Sequence, residues 1–286
     1  MSKAREKRII LAIVALVVVT MGFLAYLLHL RISSRNAAPV IVCATDEISV
    51  SVGATDADLL AGVSAMDAED GDITHKVVIE SISAIAKNGR CTITYAVSDS
   101  DNQVSSVSRT LNFFDYHSPK FQFSADFIFI SGDSKMNKDL TSFIKAYDCF
   151  EGDISSRISM SIIDTEGLSS STKQIEFRVS NNYGDVSSIV VDVVNRDKPP
   201  QETPNIELTE YLVYVKPESI FDPLDYVDSI TIVKDSYSPS EYGVDKIYAD
   251  LSDFDQSTPG TYRIPIYCEN GDHIGSTALY VVVDDQ

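Results

Sequence analysis

The chain has 286 residues and a formal net charge of −19, with 44% hydrophobic residues, four cysteines and no tryptophan. Its length allows two or three domains. Residues 1–38 carry six basic side chains and one acidic, leaving −24 on residues 39–286. That balance argues against a nucleic-acid partner, which needs a basic face, and against docking on anionic lipid head groups.

In chain order, the first element is an apolar run. Residues 9–30 (IILAIVALVVVTMGFLAYLLHL) contain no Asp, Glu, Lys or Arg. As a helix these 22 residues reach about 33 Å, enough to cross the hydrocarbon core of a bilayer. Lys3, Arg5, Lys7 and Arg8 precede the run, with Glu6 the one acid. The positive-inside rule then predicts a cytoplasmic tail at 1–8, a transmembrane helix at 9–30 as the bilayer contact, a linker at 31–38 and an extracellular remainder. The run is too long for the core of a cleaved signal peptide, and an uncleaved anchor is expected.

Beyond residue 38 the pattern repeats. Three segments open on a proline followed by apolar residues spaced by two: Pro39-Val-Ile41-Val-Cys43, Pro119-Lys-Phe121-Gln-Phe123 and Pro204-Asn-Ile206-Glu-Leu208. Each later holds a second alternating run: Ile93-Thr-Tyr95-Ala-Val97, Ile175-Glu-Phe177-Arg-Val179 and Ile264-Pro-Ile266-Tyr-Cys268. A turn rich in Asn, Asp and Gly and a last strand follow each run, which is hairpin chemistry. The first two segments also share an acidic turn, Asp67-Ala-Glu-Asp-Gly-Asp-Ile-Thr74 against Asp148-Cys-Phe-Glu-Gly-Asp-Ile-Ser155; the third has FDPLDYVDSITIVKD there instead. Period-two strands of this length and spacing predict an all-β chain of tandem β-sandwich domains behind the helix: 39–115, 116–196, and 197–286 comprising a linker and a divergent third domain. The polar, proline-rich stretch from Asn195 to Pro204 reads as a stiff, extended spacer.

The segment GVSAMDAEDGDITHKV, followed by CTITYAVSDSDNQVSSVSRTLNF, resembles the bacterial immunoglobulin-like repeats of cell-surface proteins. Similar modules serve as accessory domains in a pesticidal crystal protein and in Gram-positive surface proteins. The resemblance implies an Ig-like fold and a surface location. It says little about a ligand, because such modules act as spacers, adhesive units and enzyme accessories alike.

Three kinds of site remain to be weighed. Asp67, Glu69, Asp70 and Asp72, and in the second segment Asp148, Glu151 and Asp153, supply oxygens of the kind calcium takes. Their spacing is not that of an EF-hand, and the simpler expectation is a turn in which Asp side chains accept from backbone N–H groups and Gly71 or Gly152 takes a positive φ. No other cofactor is expected. Cys43 and Cys91 both read as inward-facing in the first domain, so a disulfide is one expectation and two core-filling thiols the other. Tyr237, Tyr242 and Tyr248 cluster in DSYSPSEYGVDKIY; they read either as a sugar-stacking surface or as rim and strand residues. No catalytic serine motif or recurring histidine is present, so a non-catalytic role is expected. The leading expectation is a single-pass surface protein presenting a rod of three Ig-like domains to a protein, cell-wall or surface-glycan partner. The alternatives are a calcium-stiffened adhesin stalk and a bitopic subunit of an envelope complex.

Overall fold

The computed structural model describes residues 3–33, 37–130, 139–163 and 171–284. It opens on helix α1 (Lys3–Ser33). Within it, Lys7–His29 has mean hydropathy 2.7 and none of its surface is covered by the rest of the protein. All other described regular structure is strands, short 3-10 turns and two one-turn helices. The chain divides into two compact units, residues 1–83 with 90–114, and residues 84–89 with 115–286.

The first unit holds one sandwich. Its strands are β1 (Val40–Cys43), β2 (Glu47–Val50), β3 (Val63–Asp67), β4 (Gly71–Asp72), β5 (Val78–Ile82), β6 (Arg90–Ser98) and β7 (Val104–Phe113), with the short helix α2 (Asp56–Leu59) before β3. They form sheets β1-β3-β4 and β2-β7-β6-β5. Along β6, Cys91, Ile93, Tyr95 and Val97 are buried and alternate with more exposed residues, the period expected of a strand with one face in the core.

The second unit holds two more modules. The second module has β8 (Lys120–Phe123), β9 (Ile128–Ile130), β10 (Ile144–Asp148), β11 (Gly152–Asp153), β12 (Ser159–Ile163), β13 (Thr172–Ser180) and β14 (Val186–Arg196). The third has β15 (Asn205–Leu208), β16 (Leu212–Val215), β17 (Val227–Ile232), β18 (Asp235–Tyr237), helix α3 (Pro239–Tyr242), β19 (Ile247–Ala249), β20 (Gly260–Asn270) and β21 (His273–Val283). Their sheets repeat the first module's topology. In all three the second strand runs parallel to the last: β2 on β7, β9 on β14 and β16 on β21. A capped turn precedes each module's third long strand. Thr55 accepts from the Asp58 N–H, Asp139 from Thr141 and Asp222 from Leu224, each satisfying an otherwise unpaired donor.

Modules two and three are joined differently from the expected spacer. Leu212, Ala278 and Tyr280 of the third module belong to the hydrophobic core of the second, beside Phe121, Phe123 and Phe127. The Tyr280 ring meets Phe123 edge-on at 5.6 Å and Phe127 at 6.1 Å. Its hydroxyl accepts from the Asp192 N–H at 3.0 Å. The Tyr214 hydroxyl accepts from the Phe121 N–H at 2.7 Å, and burial pushes that phenol up to about 12. On the other face of β21, Leu279, Val281 and Val283 line the third module's own core. From Ala278 to Val283, β21 is therefore covered on both faces, which is why that stretch is a continuous apolar run rather than an alternation.

The stretch between the two modules is laid against β21. Arg196 donates to the Ser276 hydroxyl and Asn270 to the Glu202 carbonyl. A Cβ at Gly275 would stand 1.9 Å from the Pro204 carbonyl oxygen, so this contact requires glycine. The proline-rich stretch is fixed, as its stiffness predicts, but it turns against the third module rather than running extended.

Candidate functional site

The acidic turns lie between β3 and β4 and between β10 and β11. Gly71 and Gly152 both take φ +73°, as a turn this tight requires. Asp67 Oδ1 accepts from the Glu69 and Asp70 N–H groups at 2.8 and 2.9 Å; Asp148 Oδ1 does the same for Phe150 and Glu151. Asp72 and Asp153 accept from the N–H groups of Thr74 and Ser155. Glu69 contributes its backbone N–H, and its side chain is exposed. The remaining acid of each turn reaches sideways. Asp70 accepts from the Ser100 N–H and hydroxyl, both at 2.8 Å, and pairs with Lys76. Glu151 accepts from the Asn182 N–H and side-chain amide, both at 2.7 Å, and pairs with Arg157. In both modules this acid ties the turn to the next hairpin turn along the same end of the sandwich.

The same atoms explain the electrostatics. The Ser100 bonds hold Asp70 below the ordinary carboxylate range; the Asp70 and Glu69 N–H groups do so for Asp67, and the Arg157 pair for Glu151. Asp72 and Asp153 are lowered by Thr74 and Ser155. Asp67 Oδ1, Asp72 Oδ1 and both Asp70 oxygens already accept from N–H or O–H donors, and an oxygen so filled is a poor ligand for a cation. Among the described residues no three His, Cys, Asp or Glu side chains converge to hold a metal ion. A carboxylate whose pKa is lower folded than unfolded stabilises the fold above its unfolded value, near 4. That contribution is lost as pH falls through the folded value. An Asp70→Asn variant is therefore less stable than the wild type at neutral pH, and the gap closes as pH falls below about 4 and through the lowered folded value. Paired thermal melts over that range check the sign; a gap that widens on acidification contradicts it.

The cysteines do not pair. Cys43, Cys91, Cys149 and Cys268 are all free thiols. Cys43 precedes Ala44, which stands level with Gly62 and the Arg109 guanidinium, and it feels that charge. The same guanidinium bonds Tyr95, and Cys91 lies four residues along β6 from Tyr95, about 13 Å away. The two cysteines sit in opposite sheets at different heights, beyond the reach of a disulfide. Burial raises both thiols, Cys91 to about 11, which makes them inert core fillers.

In the third module, strands β17 and β18 occupy the place of the acidic turn and close it to a tight hairpin with Ile232 opposite Asp235. Val233 at its tip takes φ +57° and is 62% exposed. A β-branched residue is strained in that region. Val233→Gly is expected to raise stability by about 1 kcal/mol, read as an upward shift of the melting temperature; a fall would show that Val233 contacts matter more than its backbone. Of the three clustered tyrosines, Tyr237 and Tyr242 come together, ring centroids 5.8 Å apart, whereas Tyr248 stacks at 5.3 Å on Tyr267 of β20. Val233, Asp235, Tyr237, Glu241, Tyr242 and Asn270 border a shallow hollow of about 380 Å3. Sequence patterning finds the tyrosines but not the hollow, because nothing in the residue types signals the positive φ of Val233.

Paired sheets with repeated topology define the chain as a series of Ig-like β-sandwich modules. Residues 44–112 match the family of bacterial surface protein Ig-like domains, and the first module belongs to it. The chain thus carries at least one domain of a bacterial surface-protein type. An uncharacterized 81.3 kDa protein of Acholeplasma phage L2 is 27% identical over 157 residues, covering 52% of this chain and 20% of that protein. The chain therefore matches about a fifth of that relative's length. Among solved structures, Clostridium perfringens ZmpB, in a structure of its CBM51-2 domain with GlcNAc and its INT domains, is 20% identical. That match covers 54% of this chain and 41% of that one, with a TM-score of 0.22. Drosophila N-cadherin EC1-4 is 12% identical over 87% of this chain and 76% of that one, with a TM-score of 0.21.

Proposed function

We propose that this is a single-pass membrane protein, N-terminus cytoplasmic, that displays three Ig-like modules outside the cell for non-catalytic interaction. The observation that carries the reading is the bare apolar helix: Lys7–His29 has the length and hydropathy of a membrane span and buries nothing against the protein. In water such a helix exposes an apolar surface far larger than soluble proteins carry. The bilayer covers it. Basic residues before the span and a −24 remainder after it set the orientation and keep the displayed part soluble. The acidic turns support a non-catalytic role, since their carboxylates are committed to backbone N–H groups at a sandwich end rather than spaced across a cleft.

Protease treatment of intact cells tests this. The expected result is loss of the Ig-like modules with the helix retained in the membrane fraction after carbonate washing. Full protection of the modules in intact cells, or release of the whole chain by carbonate, overturns it.

A further inference from the structure

In modules one and two the gap between neighbouring turns at one sandwich end is closed by an acid: Asp70 bonds Ser100, and Glu151 bonds Asn182. The third module has no counterpart of that bond among its described residues. Its hairpin stops at Ile232–Asp235 and helix α3 follows, placing Tyr242 where its hydroxyl donates to the Glu269 carbonyl at 2.8 Å. The position that is filled in the other modules is left as the hollow bounded by Tyr237, Tyr242, Asp235 and Asn270.

From this vacated position we infer a saccharide-binding subsite for neutral sugars, a reading that rests on the surface display proposed above. A sugar ring offers an apolar C–H face edged by hydroxyls that both donate and accept. The hollow offers the matching parts. Tyr237 and Tyr242 provide aromatic surface with a polar tip. Asn270 has its amide N–H committed to the Glu202 carbonyl, so its oxygen remains to accept. Glu241 uses Oε2 on the Ser238 N–H and hydroxyl, leaving Oε1, and Asp235 is exposed at the rim. Lys246 stands 5.1 Å over the Tyr242 ring centroid, a cation–π contact that holds one face of that ring and leaves Tyr237 as the main stacking surface. Polar and apolar groups share the lining about equally, which suits a sugar's hydroxyl edge and C–H face better than a wholly apolar ligand. Asp235, Glu241 and the −19 chain repel acidic sugars, which selects neutral ones.

The test titrates the full chain in detergent with three neutral probes, the β-1,4-linked tetramers of N-acetylglucosamine and glucose and a mannose trisaccharide. An acidic galacturonate oligomer and a lysine-rich peptide complete the set. Tyrosine fluorescence and saturation-transfer NMR read binding. At least one neutral probe is expected to bind. Tyr237→Ala should weaken it about tenfold and Tyr237→Phe less, whereas Tyr248→Ala leaves it unchanged. Circular dichroism confirms that the variants fold. Binding by no neutral probe, binding by the peptide alone, or equal affinity in Tyr237→Ala overturns the proposal. Protease shaving reports display separately, so a displayed protein that binds no sugar removes this inference and leaves the surface reading intact.

Discussion

Replacing Tyr280 by Ala is expected to unfold the second module, although Tyr280 belongs to the third. Its side chain is 2% exposed, and its ring lies edge-on to Phe123 and Phe127 in the second module's core. Removing a buried aromatic ring costs about 3–5 kcal/mol through lost transfer energy and the cavity left behind. The Asp192 N–H also loses the hydroxyl it donates to, and an unpaired buried donor adds to the cost. A marginal sandwich of this size does not survive that loss with much to spare. Near-UV circular dichroism of the Tyr280→Ala chain should show one transition at lower temperature for the whole 115–286 unit. Truncation at residue 196 is harsher, because it removes Leu212, Ala278 and Tyr280 together and bares the core face they cover. The truncated chain is expected to aggregate or to fall to proteases. A truncated chain that melts like the intact one, or a Tyr280→Ala chain that loses only the third module, would show that the two modules fold independently.

The strand scaffold was legible because the physics that writes it is local. Alternation at Ile93, Tyr95 and Val97 is what one buried face demands, and the repeat at Ile175–Val179 confirmed the period. The shared core of modules two and three was half legible. The run from Ala278 to Val283 lacks alternation, which signals two covered faces, yet nothing local says what covers the second one. What the spacer packs against was not legible for a related reason. Proline content reports stiffness, not whether another strand offers a glycine at the right height; Gly275 does. A bare count of carboxylates suggests cation sites in the acidic turns, whereas the Asp and Gly spacing favours Asp-capped turns, which is what forms. Their oxygens are claimed by N–H groups two and three residues on, a geometry fixed by the turn and invisible in a count of carboxylates.

The first module should show strong coupling between Tyr95 and Arg109, measurable as a double-mutant cycle. Arg109 is 4% exposed and inward-facing. Its guanidinium donates to the Tyr95 hydroxyl at 2.9 Å and to the Leu59 and Ala61 carbonyls at 3.0 and 2.8 Å. The Tyr95 hydroxyl donates to Leu59 O at 2.6 Å. The Leu59 carbonyl is the last of helix α2 and Ala61 follows its C-cap Leu60, so the guanidinium satisfies carbonyls the helix end leaves open. The second module solves the same position without charge. Phe177 stands for Tyr95, Val191 for Arg109 and Phe143 for Gly62, all buried. A phenyl ring there replaces the guanidinium that Gly62 leaves room for in the first module. Arg109→Val alone strips the Ala61 carbonyl of its donor and leaves a void, an expected loss of about 3–5 kcal/mol. Tyr95→Phe alone leaves a buried guanidinium short of one acceptor, an expected loss of about 1–3 kcal/mol. Together the changes cost less than their sum by about 1–3 kcal/mol, because the second removes a partner the first has already orphaned. Adding Gly62→Phe, which completes the second module's set, tests whether an apolar filling suffices. Gly62 has φ +73°, so the aromatic is strained there and the triple variant should regain only part of the loss. Additive single effects in urea unfolding would show that Tyr95 and Arg109 act independently.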